Sequence, residues 1–73
     1  MKYSKRIQNR VSRIEGQVGG VKRMIVTNTE EYKVMTQLQA VISSLESLKL
    51  ELLKKQMQES MIEDIKKSLG LSE

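Results

Sequence analysis

Apolar residues recur every three or four positions along most of this 73-residue chain, and no proline interrupts them. In the N-terminal part they stand at positions 7, 11, 14, 18, 21 and 25, a spacing that forms one stripe along an α-helix. A second series runs from Val34 to Leu53. The pattern predicts an all-α fold made of amphipathic helices.

Polar residues mark where these helices begin and end. Two capping-box patterns, each a polar residue three positions before a glutamate, are formed by Asn28 with Glu31 and by Ser60 with Glu63. Gly70 follows the last apolar residues and is a typical helix stop. We therefore predict one domain with three helices, at about 4–26, 30–58 and 61–69.

The small size of the chain predicts self-association. A core of this size supplies only about 3–5 kcal/mol of net stability, and the sequence has no Cys or His for a disulfide or a structural zinc site. The two long helices would form an antiparallel hairpin that leaves much apolar surface in water. Pairing of two hairpins into a four-helix bundle covers that surface, although a bundle protein without a regulatory role fits these patterns equally well.

Basic residues are concentrated in the predicted first helix. Residues 1–26 contain seven Lys and Arg and one acid, Glu15, whereas residues 27–73 contain six basic and eight acidic residues. A helical projection places most of these cations opposite or beside the apolar stripe. A surface of one sign indicates a polyanionic partner, with DNA or RNA ahead of an anionic membrane. A membrane role is disfavoured because the apolar stripe is needed for packing.

Other function classes find little support in the sequence. Without His, Cys or a glycine-rich turn between strand and helix, an enzyme is the least expected class. No run of 18 apolar residues and no signal segment occurs, so we expect a cytoplasmic protein. Gly16 and Gly20 fall within the basic arc, where a phosphate backbone or another helix could approach closely, and the sequence leaves both contacts open.

Three segments together resemble the copper-sensing operon repressor family: RIEGQVGGVKRM at 13–24, MTQLQAVISSL at 35–45 and LELL at 50–53. The resemblance extends roughly from Arg6 to Met61. It implies an antiparallel four-helix-bundle dimer, a tetramer formed by two dimers, and repression through binding to operator DNA. The cations that we expect to contact DNA phosphates are Lys5, Arg6, Arg10, Arg13 and Arg23. A further cation that the family often carries in helix two falls at Ser47.

The sensor residues implied by the resemblance are replaced. The family joins a Cys of one protomer to a His and a Cys of another, and these positions fall at Glu31, Gln56 and Ser60. We therefore expect no Cu(I), nickel or cobalt bound through thiolates, and no formaldehyde or persulfide chemistry. A carboxylate, an amide and a hydroxyl are also a weak set for a hard cation, so no metal is expected there.

Two hypotheses follow from the sequence. The first is a homotetrameric repressor that binds operator DNA and responds to a ligand other than a thiolate-bound metal, or to none. The second is a degenerate assembly module without DNA or metal function of its own, which either pairs with a related repressor subunit or serves as a scaffold.

Overall fold

A computed structural model describes residues 2–70, which form an antiparallel hairpin of two α-helices. Helix α1 is Lys5–Val26 and helix α2 is Glu31–Ser68. The described residues contain no strand, which confirms the predicted all-α class for this part of the chain. The hairpin measures 62 × 20 × 12 Å.

The core of the hairpin is a narrow seam of apolar residues spaced seven positions apart. The members of this seam are Ile7, Ile14 and Val21 on α1 and Val34, Val41 and Leu48 on α2. Ile14, Val21 and Val41 form a buried cluster, against which Val34 and Leu48 pack. Seven residues correspond to about two helical turns, so each helix presents these side chains along one line toward its partner.

Helix α1 ends in a Schellman motif centred on Asn28. This residue adopts the left-handed conformation with φ 56°. Its N–H donates to the carbonyl of Ile25 at 3.1 Å, and the N–H of Thr29 donates to the carbonyl of Met24 at 2.8 Å. Both bonds satisfy carbonyl groups that the end of the helix would otherwise leave unpaired.

The predicted capping box of Asn28 and Glu31 is therefore wrong. The N-cap of α2 is Glu30, whose side chain makes no capping hydrogen bond. Asparagine tolerates the left-handed conformation better than most residues, because its short polar side chain can hydrogen-bond locally. Asn28 thus ends the first helix instead of beginning the second.

The predicted third helix is not a separate element, since α2 continues through Ser60 to Ser68. No glycine or proline lies between Gly20 and Gly70, and the intervening Lys, Gln, Met and Glu residues at 54–59 favour helix. A capping box forms only where a helix begins, and this segment contains no interruption of the helix. The expected stop at Gly70 is confirmed, because Gly70 has φ 72° and its N–H donates to the carbonyl of Lys67.

One side of the hairpin presents uncovered apolar residues. We call this side the apolar face; its members, all more than one third exposed, are Val11, Val18, Ile25, Leu38, Ile42 and Leu45. Helix α2 is also longer than α1, and every residue from 56 to 70 is exposed, including Met57, Met61 and Ile65. An apolar surface of this extent typically marks an interaction site.

Candidate nucleic-acid interface

A line of polar residues, which we call the polar seam, runs beside the apolar core. Its partly buried members follow the core residues by three positions: Arg10 and Gln17 on α1, and Gln37, Ser44 and Glu51 on α2. In a seven-residue repeat these positions lie on the opposite side of the core from the apolar face. The hairpin therefore has an apolar side and a polar side.

Glu51 lies between two arginines of α1. Nη1 of Arg6 donates to Oε2 of Glu51, and Nη1 of Arg10 donates to Oε1, so each carboxylate oxygen has its own guanidinium group. Nη2 of Arg10 also donates to the hydroxyl of Ser47. The side chains of Glu51 and Arg10 are only 23% and 28% exposed, whereas that of Arg6 is 71% exposed. Solvent screens the Arg6 pair more strongly, so Arg10 is the more firmly held arginine.

A polar cleft next to this cluster brings together three of the five cations predicted to bind DNA. It is lined by Arg6, Arg10, Arg13, Ile14, Gln17 and Ser44. Arg13 is exposed and has no ion pair within residues 2–70. Oε1 of Gln17 is buried and has no hydrogen-bond partner in the same range. The cleft thus offers a free guanidinium group in addition to the two that Glu51 engages.

Lys5 and Arg23 lie outside this cleft. Lys5 is exposed in the first turn of α1. Arg23 follows Arg13 by ten positions, or about 15 Å along the helix axis. Its guanidinium group lies over Gly19 and Gly20, where an added methyl group would meet it at 3.6 and 3.7 Å. The five cations therefore follow the length of α1, with a cluster near its beginning.

The three positions assigned to the sensor site do not meet within one chain. Glu31, Gln56 and Ser60 are all exposed. Glu31 and Gln56 are 25 positions apart on the same helix, which corresponds to about 37 Å. Residues 2–70 contain no group of three or more His, Cys, Asp and Glu side chains that could hold a metal ion.

The polar side of the hairpin carries the predicted DNA-binding cations, and we call it the cationic side. Sequence reasoning did not identify Glu51 or Gln17 as part of this side, and it treated Ser47 only as the position of a missing cation. The available signal was the polar residue that stands three positions after each core residue except Val21. Once α1 and α2 are placed antiparallel, these positions face one another across the seam. Arg10 and Glu51, which occupy such positions with opposite charge, could have been paired on that basis.

Residues 3–73 match the family model described as metal-sensitive transcriptional repressor. The chain belongs to this family. A search of curated proteins and a search of solved structures each gave no significant match. None of the helices in residues 2–70 is long and apolar enough to cross a membrane.

The residues of this member of the repressor family do not fit a metal centre built from thiolates or imidazoles. The sequence contains no Cys and no His, and these are the side chains that bind Cu(I), nickel and cobalt most effectively. Met57 and Met61 offer two thioethers one turn apart, but both are exposed on α2, and methionines at this spacing more often serve packing. The donor set thus disagrees with the sensor chemistry that the family description implies.

Proposed function

We propose that this chain is a DNA-binding transcriptional repressor of the copper-sensing operon repressor type that does not sense metal through thiolates. Membership of the family supports the repressor class. The observation that carries the proposal is the convergence of Arg6, Arg10 and Arg13 on one polar cleft, on the side of the hairpin away from the apolar face.

The apolar face supports assembly into a four-helix-bundle dimer, two of which form a tetramer. Val11 and Val18 on α1 lie on the same side as Leu38 and Leu45 on α2, at corresponding positions of the seven-residue repeat. A second hairpin packed on this face removes these side chains from water. The polar cleft stays accessible in such a dimer because it faces the other way.

The cations of α1 suit contacts with the phosphate backbone. Arginine binds phosphate through two parallel N–H donors, and the guanidinium group of Arg13 has no ion pair in the described chain. Lys5 and Arg23 extend the cationic line toward the two ends of α1. Phosphate contacts position a protein on DNA but do not read its sequence.

The test of this proposal is binding of the purified protein to its own upstream DNA and to a scrambled duplex across a salt series, with and without a chelator. We expect tighter binding to the upstream DNA, a fall in affinity with rising salt, and no effect of chelator. Equal binding to both duplexes contradicts an operator-specific repressor. Loss of binding in chelator contradicts metal independence.

The ion pairs of Glu51 favour a second candidate, a degenerate assembly module that pairs with a related repressor subunit. Two of the five predicted DNA-binding cations, Arg6 and Arg10, are already paired with this carboxylate. Such a module has an intact apolar face but weak DNA affinity of its own. Stable tetramers without measurable DNA binding at low salt are the result that favours this candidate.

A further inference from the structure

Glu51 places a negative charge within the cluster of cations near the beginning of α1. Lys54 lines a second pocket together with Arg6, Arg10 and Glu51, so a third cation lies near this carboxylate. The side chain of Glu51 is three-quarters buried, and both of its oxygens accept from arginine. It is therefore fixed among the cations and does not extend into solvent as a mobile surface acid.

Because of this arrangement, a phosphate that approaches Arg6 and Arg10 meets the carboxylate of Glu51. Nη1 of both arginines donates to Glu51, and Nη2 of Arg10 donates to Ser47. An incoming phosphate must displace the carboxylate or bind through the remaining donors next to a like charge. In either case Arg6, Arg10 and Glu51 together offer a phosphate one net positive charge where the two arginines alone offer two.

We propose that Glu51 limits the affinity of the cationic side for DNA by competing with phosphates for Arg6 and Arg10. This inference rests on the proposed DNA-binding function and names a residue of the same site. Removal of the carboxylate makes one further phosphate contact available. Because phosphate contacts carry no sequence information, the gain in affinity is the same for specific and scrambled DNA.

Glu51→Gln tests the proposal, since the amide keeps the size of the side chain and removes its charge. Glu46→Gln is the matched control: Glu46 lies on the same helix, is exposed, and has no ion pair in the described chain. The measurement is fluorescence anisotropy of labelled upstream and scrambled duplexes from low to moderate salt. Circular dichroism and sedimentation establish that each variant folds and assembles.

We expect Glu51→Gln to raise the affinity for both duplexes roughly three- to tenfold at low salt and to steepen the salt slope by about one. Glu46→Gln changes affinity by less than about twofold, because Glu46 is exposed, so that solvent screens its charge, and it makes no ion pair with the arginines. An unchanged or weaker affinity for Glu51→Gln overturns the proposal, and weaker binding identifies Glu51 as a residue that positions Arg10 for DNA.

Failure of the proposed DNA-binding function gives a different result from failure of the role proposed for Glu51. If the wild-type protein and both variants bind neither duplex at low salt, DNA binding itself is refuted, and the role of Glu51 is refuted with it. If Glu51→Gln does not fold, Glu51→Met replaces it, because an unbranched apolar side chain can lie along the arginine stems. The same rise in affinity is expected for that variant.

Discussion

Arg10 of α1 donates a hydrogen bond to Glu51 of α2, 41 positions away along the chain. The pair lies in the polar seam, beside the apolar line that contains Ile14 and Val41. A one-turn slip of one helix against the other would separate these opposite charges while leaving apolar residues in contact. The pair therefore helps to define the register of the hairpin, and a change at Arg10 is expected to affect folding as well as the proposed DNA contacts.

Arg13 is for this reason the better position at which to test the DNA contacts. It lines the polar cleft without an ion pair in residues 2–70, so Arg13→Gln removes a donor that is proposed to bind phosphate and breaks no ion pair of the hairpin. We expect weaker DNA binding and a salt slope reduced by about one. Lys66→Gln, far along α2, is the control for loss of a charge alone. Equal effects of the two variants on the salt slope would assign the binding to net charge and not to the cleft.

The narrow apolar seam makes stability depend on a few side chains. Val41 is 6% exposed, and Val41→Ala removes two methyl groups from the buried cluster. We expect the free energy of unfolding to fall by about 1.5–3 kcal/mol. Val26→Ala is the same chemical change at a side chain that is 69% exposed, and it should cost less than about 0.5 kcal/mol. Urea unfolding at equal protein concentrations measures both, and equal losses would show that Val26 is covered in the assembly.

The periodicity of the sequence was sufficient to predict the hairpin, because the spacing of Ile7, Ile14 and Val21 is set by helix geometry alone. Local signals at the ends of helices were less reliable. Asn28 and Ser60 both suit an N-cap, but only the path of the chain decides whether a polar residue begins a helix, ends one or lies within one. The pairing of Arg10 with Glu51 depends on tertiary register, which one-helix projections do not contain.

Ser4 and Ser60 should respond differently to alanine, because only Ser4 caps a helix. Ser4 is the N-cap of α1, where its hydroxyl oxygen accepts from the N–H of Ile7 at 3.2 Å. Ser4→Ala should therefore cost about 1 kcal/mol. Ser60 lies inside α2, so Ser60→Ala should leave stability unchanged or raise it by about 0.5 kcal/mol. Chemical unfolding followed by circular dichroism separates the two, and a loss at Ser60 similar to that at Ser4 would mean that a helix does begin there.

Asn28 provides a test of how α1 ends. Its left-handed backbone, with φ 56°, disfavours any residue with a Cβ except Asn and Asp, whereas glycine adopts it freely. We expect Asn28→Ala to lower the free energy of unfolding by about 1 kcal/mol and Asn28→Gly to stay within about 0.5 kcal/mol of wild type. Thermal unfolding of the three proteins is the measurement. A variant series in which alanine is as stable as glycine is incompatible with the Schellman motif.

Substitution of Gly16 tests whether DNA or a second hairpin approaches the backbone of α1 closely. An added methyl group at this position meets nothing within 4 Å in the hairpin. Gly16→Ala should therefore stabilise α1 by about 0.5–1 kcal/mol, because alanine favours the helix interior.

The same substitution becomes unfavourable wherever another molecule approaches the backbone closely. If DNA lies against this part of α1, Gly16→Ala raises stability and weakens DNA binding together, a combination that no effect on folding alone produces. If a second hairpin packs there, the variant instead shifts the proposed tetramer toward smaller species in sedimentation. Gly19→Ala is the control within the helix, since its methyl group would make only ordinary contact with Nη1 of Arg23 at 3.6 Å. If Gly16→Ala raises stability but changes neither DNA binding nor assembly, then no other molecule approaches the backbone closely at Gly16.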